Sequence, residues 1–199
     1  MKFILTILVL FSLLAVTQAA TISFTDQATF LSNLNSFETH NFDNFAANPF
    51  NSGSPLTNEI PGITFENARV TIGGNGGTSQ SPPNVLVNAD LVNPIVINFD
   101  NAVNGVGLFN TSLGDAERFE VFDAQNNLLG SLDLPDQVIN FGGFISDEGI
   151  KRAVITPIAP TNGSIFIDTL TVSTTVPEPS TYITMLFGLA LFFGMKRKK

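Results

Sequence analysis

Residues 117–134 have the sequence ERFEVFDAQNNLLGSLDL. Two strand-like runs in this stretch flank a short polar segment at residues 125–127. Asn tolerates the left-handed backbone conformation that tight turns require, and Asn126 and Asn127 lie in this segment. The stretch therefore predicts a β-hairpin, and the same chemistry recurs on both sides of it.

Other strand-like runs in the chain are likewise bounded by Gly, Pro, Asn or Asp. They cover residues 22–24, 62–65, 68–72, 84–89, 94–100, 106–110, 138–146, 151–158 and 164–172. With the hairpin this makes about eleven strands, without helical periods between them, at the spacing of about 8–12 residues that favours two packed antiparallel sheets. The sequence predicts an all-β domain at residues 20–175, specifically a jelly-roll-like antiparallel β-sandwich.

One short helix is expected near the start of this domain. Thr25 or Asp26 can cap it, and apolar side chains follow at helical spacing between Ala28 and Leu34. No other segment before the C-terminal tail has a convincing helical pattern.

The aromatic composition predicts the core. The chain has nineteen Phe residues but one Tyr and no Trp, so most Phe rings are expected to fill the interior. It has no Cys, which excludes disulfide bonds, thiolate zinc sites and a cysteine nucleophile.

The N-terminus has the pattern of an export signal. Lys2 precedes an apolar run at residues 3–16, and the small residues Thr17 and Ala19 suit a signal peptidase. We predict a signal peptide at residues 1–19 with cleavage after Ala19. The alternative is an uncleaved anchor, but the run is shorter than the roughly 20 residues that a stable span needs.

The central region is strongly acidic. Of the nine basic residues in the chain, five lie in the terminal segments, whereas nearly all of the seventeen acidic residues lie between them. Because nucleic-acid binding depends on clustered Lys and Arg, nucleic acid is not an expected partner.

The chain ends with VPEPSTYITMLFGLALFFGMKRKK, which has three parts. The first consists of Val176, Pro177, Glu178 and Pro179. Proline fixes its own φ, lacks an amide hydrogen and biases the preceding residue toward extended geometry, so an open ribbon is expected there. Residues 182–195 are then expected to form a short apolar helix of roughly 21 Å, a marginal span of a hydrocarbon core of about 30 Å.

Four basic residues complete the tail and act as a stop. They are Lys196, Arg197, Lys198 and Lys199. Basic residues stay on the cytoplasmic side of a membrane, so the β domain is expected on the other side. A plain tail anchor after a proline linker would explain the helix and the charges, but it would not require proline on both sides of Glu178.

This order of segments resembles the PEP-CTERM sorting signal of Gram-negative bacteria, with Pro177, Glu178 and Pro179 as the signature tripeptide. The resemblance implies that an exosortase-type enzyme removes the helix and that the inner membrane holds the precursor transiently. It further implies delivery to the outer envelope or extracellular matrix, usually in organisms that make exopolysaccharide or biofilm.

Most of residues 22–172 also resemble the β-sandwich ectodomains of such proteins, through DQATFLSNL, NFDNF, GITF, VINFD, FEVFDAQNNLLG, ISDEGIKRAVI and IDTLTV. That resemblance implies a structural calcium ion held by Asp43 and Asp168. Thr169 stands where relatives tend to have a second aspartate. Since calcium takes six to eight oxygen ligands, the alternative is that both carboxylates are solvated or cap turns.

The sequence contains no strong catalytic motif. His40 is the only histidine and no GxSxG elbow is present, which disfavours a serine triad and catalytic zinc. Glu117 with Glu120, or Asp147 with Glu148, could pair for glycoside cleavage, but the domain has no Trp or Tyr to stack on a sugar.

The glycine-rich stretch at residues 73–84 precedes a strand rather than a helix, so it predicts an exposed loop and not a phosphate cradle. We therefore expect a non-enzymatic, exported envelope or matrix protein. The alternative function is a calcium-assisted, lectin-like carbohydrate-binding module.

Overall fold

The computed structural model describes residues 20–47, 54–73, 78–136, 138–158 and 163–173. These residues form one short helix and eleven strands, and all strand pairs among them are antiparallel. The predicted all-β class with antiparallel pairing and a single early helix is thus confirmed.

The elements follow in chain order. They are β1 (Thr21–Phe24), α1 (Gln27–Ser32), β2 (Phe37–His40), β3 (Ser54–Pro55), β4 (Ile63–Glu66), β5 (Ala68–Ile72), β6 (Asn84–Asn88), β7 (Ile95–Asn110), β8 (Glu117–Phe122), β9 (Leu128–Leu134), β10 (Asn140–Pro157) and β11 (Phe166–Ser173).

The hairpin predicted at residues 117–134 is formed by β8 and β9. Asp123 Oδ1 accepts hydrogen bonds from the backbone amides of Gln125 (2.9 Å) and Asn127 (2.7 Å). Asn126 adopts a φ of 67°, the left-handed conformation that Asn tolerates. The turn chemistry predicted for residues 125–127 is therefore confirmed.

Helix α1 begins at the predicted cap. Asp26 Oδ1 accepts the Thr29 backbone amide at 2.8 Å, and this contact satisfies one of the free donors of the first turn. Phe30 is fully buried and packs between the rings of Phe24 and Phe141. The helix thereby docks on the sheet through one large aromatic side chain.

The helix can approach closely because glycine faces it on two neighbouring strands. Gly107 of β7 lies opposite Gly143 of β10 in the ladder. A Cβ atom at Gly107 would lie 2.6 Å from the Phe141 ring and 2.9 Å from that of Phe30. Glycine is required here to make room for the two rings.

Strands β7 and β10 are much longer than predicted. The sequence suggested separate strands at 94–100 and 106–110, and again at 138–146 and 151–158, but each pair is one strand in the structure. The pairing of β7 with β10 shifts register between Ile145 and Arg152, and Gly149 there has a φ of 83°. The polar residues that looked like breaks are irregularities within continuous strands.

The sheet has two parts, and both β7 and β10 run through the two of them. The first half of β10 pairs with β1 and the second half of β7, whereas its second half pairs with β8 and the first half of β7. Strand β11 continues the first part through β7, β2 and β6, and β4 extends the second part along β7. Hydrogen bonds thus connect all eleven strands.

The core lies between the two parts. Phe144 of β10 meets Phe119 of β8 with ring centroids 5.1 Å apart and an edge-on geometry. Eight Phe side chains are buried, namely residues 30, 42, 65, 99, 119, 141, 144 and 166. Five of them, at residues 42, 65, 99, 119 and 144, belong to one buried cluster that apolar residues of β4, β7, β10 and β11 complete.

Candidate functional sites

The two aspartates predicted to bind calcium hold opposite ends of one loop. Asp168 accepts hydrogen bonds from the Ser81 amide (2.8 Å) and the Ser81 hydroxyl (3.1 Å). Asp43 accepts the amide of Asn84, at the start of β6, at 3.0 Å. The structure thus brings the predicted pair to the same short segment, which ends the glycine-rich stretch.

Asp168 is fully buried at an irregular point of β11. Burial raises the pKa of its carboxyl group, and the hydrogen bonds from Ser81 and Thr169 oppose that rise. Thr169 donates its amide to Asp168 Oδ1 at 2.6 Å and has a φ of 52°. A β-branched residue rarely adopts this left-handed conformation, so the Asp168 contacts hold a strained backbone in place.

The donors around these carboxylates fit the turn-capping alternative. Both oxygens of Asp168 face N–H or O–H groups, as do both oxygens of Asp43, since Asn41 Nδ2 donates to Asp43 Oδ2 at 2.8 Å. No three His, Cys, Asp or Glu side chains are grouped to hold a metal ion within the described part of the chain. These donors point their hydrogens at the oxygens that a cation would need, and the calcium ion assigned to the two residues stays a prediction.

His40 lines a cavity that sequence reasoning did not predict. The cavity has a volume of about 240 Å³ and lies between β2 and β11, with Glu38, His40 and Ser173 in its wall. The rest of the wall consists of Pro61, Gly62, Asn101 and apolar side chains of β4, β7 and β11. The polar residues are distant in sequence and meet only because β2 pairs with the end of β11, so no local motif could reveal them.

The geometry of this cavity is not that of an assembled triad. His40 Nε2 lies 3.9 Å from Glu38 Oε2, and burial lowers the pKa of His40 while Glu38 opposes the change. Ser173 Oγ accepts the Gly105 amide at 2.7 Å and also bonds to Asn104 Oδ1. Activation of a serine needs its hydroxyl within hydrogen-bond reach of the histidine, and here the hydroxyl is engaged with β7.

Strand geometry keeps Glu117 and Glu120, the acids considered for glycoside cleavage, apart. Glu117 is fully buried, whereas Glu120 is half-buried three residues along β8. Positions three apart on a strand point to opposite faces, so these two carboxylates cannot flank one glycosidic bond. Asp147 and Glu148 are both exposed, at the register shift of β10.

The predicted terminal segments lie outside the described residues. This applies to the signal peptide at 1–19, the sorting motif at 176–179, the apolar helix at 182–195 and the basic stop at 196–199. Within the described ranges, no helix is long and apolar enough to cross a membrane.

Comparison with known proteins gives a family match for the C-terminal tail. Residues 175–199 match the PEP-CTERM protein-sorting motif. No curated protein sequence matches the chain. Among solved structures, the enzymatically active domain of tailspike protein 4 from bacteriophage CBA120 has a TM-score of 0.31 and 15% identity, over 61% of this chain and 21% of that chain.

The observations define an all-β domain followed by a C-terminal sorting signal. The chain is a protein with a PEP-CTERM sorting domain. The motif supports an exported protein with a membrane-anchored precursor that is processed by an exosortase-type enzyme.

Proposed function

We propose that this chain is a non-enzymatic protein of the outer envelope or extracellular matrix, associated with exopolysaccharide or biofilm. The observation that carries the proposal is the position of the sorting motif. The motif begins at residue 175, and the last strand of the domain ends at Ser173. The motif therefore follows the folded unit directly, as a removable handle would.

Both predicted processing events leave the folded unit intact. Cleavage after Ala19 would remove nothing from β1, which begins at Thr21. The new terminal residue, Ala20, already contributes its carbonyl oxygen to a hydrogen bond with the Asp147 amide. Cleavage near residues 175–179 would likewise spare β11.

The delivered unit, in this proposal, is a jelly-roll-like β-sandwich. Strands β7 and β10 each contribute to both parts of the sheet, and the Phe119–Phe144 contact supports the packing of those parts face to face. A Cys-free domain of this kind depends on its apolar core for stability outside the cell. Its excess of acidic residues favours solubility in the matrix.

Intact-mass analysis of the protein recovered from its native host tests the sorting step. The wild type should lack residues 1–19 and end within residues 175–179, whereas a Glu178→Ala variant should keep the apolar helix. Glu148→Ala, at an exposed position of β10, is the matched control and should be processed normally. A secreted wild-type protein that still contains Lys199 would contradict the proposal.

The proposed lack of enzymatic activity is tested separately. Purified protein should not cleave simple esters or glycosides above the uncatalysed rate, and His40→Ala and Ser173→Ala should behave as the wild type. An ester hydrolysis lost in both variants would instead identify the His40 cavity as an active site. Glycan binding abolished by chelation would favour the lectin-like alternative.

A further inference from the structure

Ser173, the last residue of β11, binds two neighbouring groups of β7. The ladder between these strands has its last pair at Val172 and Val106. Beyond that pair, the Gly105 amide donates to Ser173 Oγ at 2.7 Å, and the Ser173 hydroxyl also bonds to Asn104 Oδ1. Ser173 is buried. One buried hydroxyl thus engages both the side chain of Asn104 and the backbone amide that follows it.

Asn104 and Gly105 form an asparagine–glycine pair. Asparagine is a chemically labile residue. It deamidates fast before glycine, because glycine has no side chain to hinder the attack of its backbone nitrogen. The sequence has three such pairs, at 75–76, 104–105 and 162–163, and only the pair at 104–105 lies wholly within the described residues. A reactive pair is therefore built into β7.

The reaction joins the two groups that Ser173 holds. The Gly105 nitrogen forms a bond to Asn104 Cγ and loses its proton, and the side-chain nitrogen of Asn104 leaves as ammonia. Water then opens the resulting succinimide at either carbonyl carbon, which gives aspartate or isoaspartate. The nucleophile and the carbonyl group of this reaction are the two partners of the Ser173 hydroxyl.

The folded domain keeps these groups from reacting. Gly105 lies opposite Ile145 in the β7–β10 ladder, so its backbone is held extended. A Cβ atom at Gly105 would lie 2.7 Å from Leu34 Cδ2 and 3.5 Å from Ser173 Cβ, which shows how closely the chain packs there. Ring closure needs the Gly105 nitrogen to leave Ser173 and approach Asn104 Cγ, so it requires a local opening of the strand.

We propose that Asn104 is a deamidation site and that the Ser173 hydroxyl keeps it unreactive while the end of β11 is docked on β7. Strand β7 pairs with β4, β10 and β11. Isoaspartate adds one carbon atom to the backbone, so its formation at residue 104 would disrupt the register of this strand with its neighbours. Ser173 therefore protects the strand that connects most of the sheet.

Peptide mapping by mass spectrometry, after incubation of the full-length chain in detergent micelles at mildly alkaline pH, tests the site. In the wild type, Asn104 should stay unmodified in buffer and react in urea, where the pairs at 75–76 and 162–163 provide an internal reference for the rate. In buffer, Ser173→Ala should deamidate at Asn104 roughly tenfold faster than the wild type, because the loss of two hydrogen bonds raises the open population.

Three further variants separate protection from general stability. Ser173→Cys keeps the shape of the side chain but bonds weakly, so it should also react faster, and it replaces Ser173→Ala if that variant does not fold. Ser173→Thr keeps the hydroxyl and should react as slowly as the wild type. Ser146→Ala removes another buried hydroxyl, which accepts the Thr21 hydroxyl at 2.9 Å, and should leave the rate at Asn104 unchanged.

Two results would overturn the proposal. The first is an Asn104 rate in the wild type that is the same in buffer and in urea, since the folded chain would then give no protection. The second is an equal rate in the wild type and in the folded Ser173→Ala or Ser173→Cys variants. An equal acceleration in Ser146→Ala would likewise assign the effect to stability and not to the Ser173 hydroxyl.

Discussion

Two regions of the domain bury a carboxyl group completely and treat it in different ways. Asp168 receives its hydrogen bonds from Ser81 and Thr169, so the chain compensates its burial from within. At Glu117 the side chains of Ser112 and Asn110 offset only part of the burial, and the charges of Asp115 and Asp136 increase the penalty. The comparison teaches that burial alone does not set the pKa of a carboxyl group, because the hydrogen-bond donors and charges around it decide how far burial raises that pKa.

The largest expected effect comes from removing the compensated acid. Asp168→Ala should lower the free energy of unfolding by about 2–4 kcal/mol, because it leaves buried amide donors unpaired next to a strained residue. Urea unfolding followed by circular dichroism measures the change. The exposed Asp147→Ala serves as control, and an equal loss in both variants would remove the contrast.

Replacement of Glu117 should change the stability in the opposite direction. At pH 9, Glu117→Gln should raise the free energy of unfolding by about 1–3 kcal/mol, because the wild type must then bury a charge. The folded-state pKa of about 8 exceeds the ordinary value of 4.5, so the stabilising protonation is complete below 4.5 and lost as the pH rises through 8. The gain should therefore be small at pH 5, and a gain independent of pH would contradict this account.

Asp43 is predicted to have an intermediate effect. It is only partly buried and anchors the Asn84 amide with one oxygen, so Asp43→Ala should cost about 1 kcal/mol. Combined with Asp168→Ala, the two losses should not add, because both residues hold the segment between Ser81 and Asn84. A double-mutant cycle in urea tests this coupling, and strict additivity would show that the two contacts act independently.

The smallest effect is expected at the surface ion pair. Arg118 Nε lies 2.7 Å from Asp133 Oδ1 across the hairpin, but both side chains are about half exposed. Solvent screens such a pair, so Asp133→Asn should leave the urea midpoint unchanged within error. A clear loss would show that the pair stabilises the hairpin beside Glu117.

The all-β fold class was predictable because the turn residues and the apolar runs are local signals. The joining of two runs into β7, and of two others into β10, was not, because a polar interruption looks the same in a loop and in a strand irregularity. Strands β2 and β3 were missed, since FETH and SP carry no apolar pattern and pair only through distant partners.

The sites were predictable to different degrees. Asp43 and Asp168 were named on resemblance, and the structure places them around one loop, whereas the calcium assigned to them stays a prediction. The burial of Glu117 could have been predicted from the sequence, because Glu117, Phe119 and Val121 occupy every second position of ERFEVF and so share one face of the strand. The His40 cavity had none, since it depends on the register between β2 and β11.

The pairing of early strands with late strands links folding to export. Strand β1 pairs with residues 143–146, and β2 pairs with residues 170–173. The segments that cross the membrane first can therefore form their strand pairs only after the last segments have crossed. Such distant contacts form slowly, and the sheet cannot close until Ser173 has emerged. By then the next residues to be translocated are those of the sorting motif, so completion of the fold and presentation of the cleavage signal coincide in time.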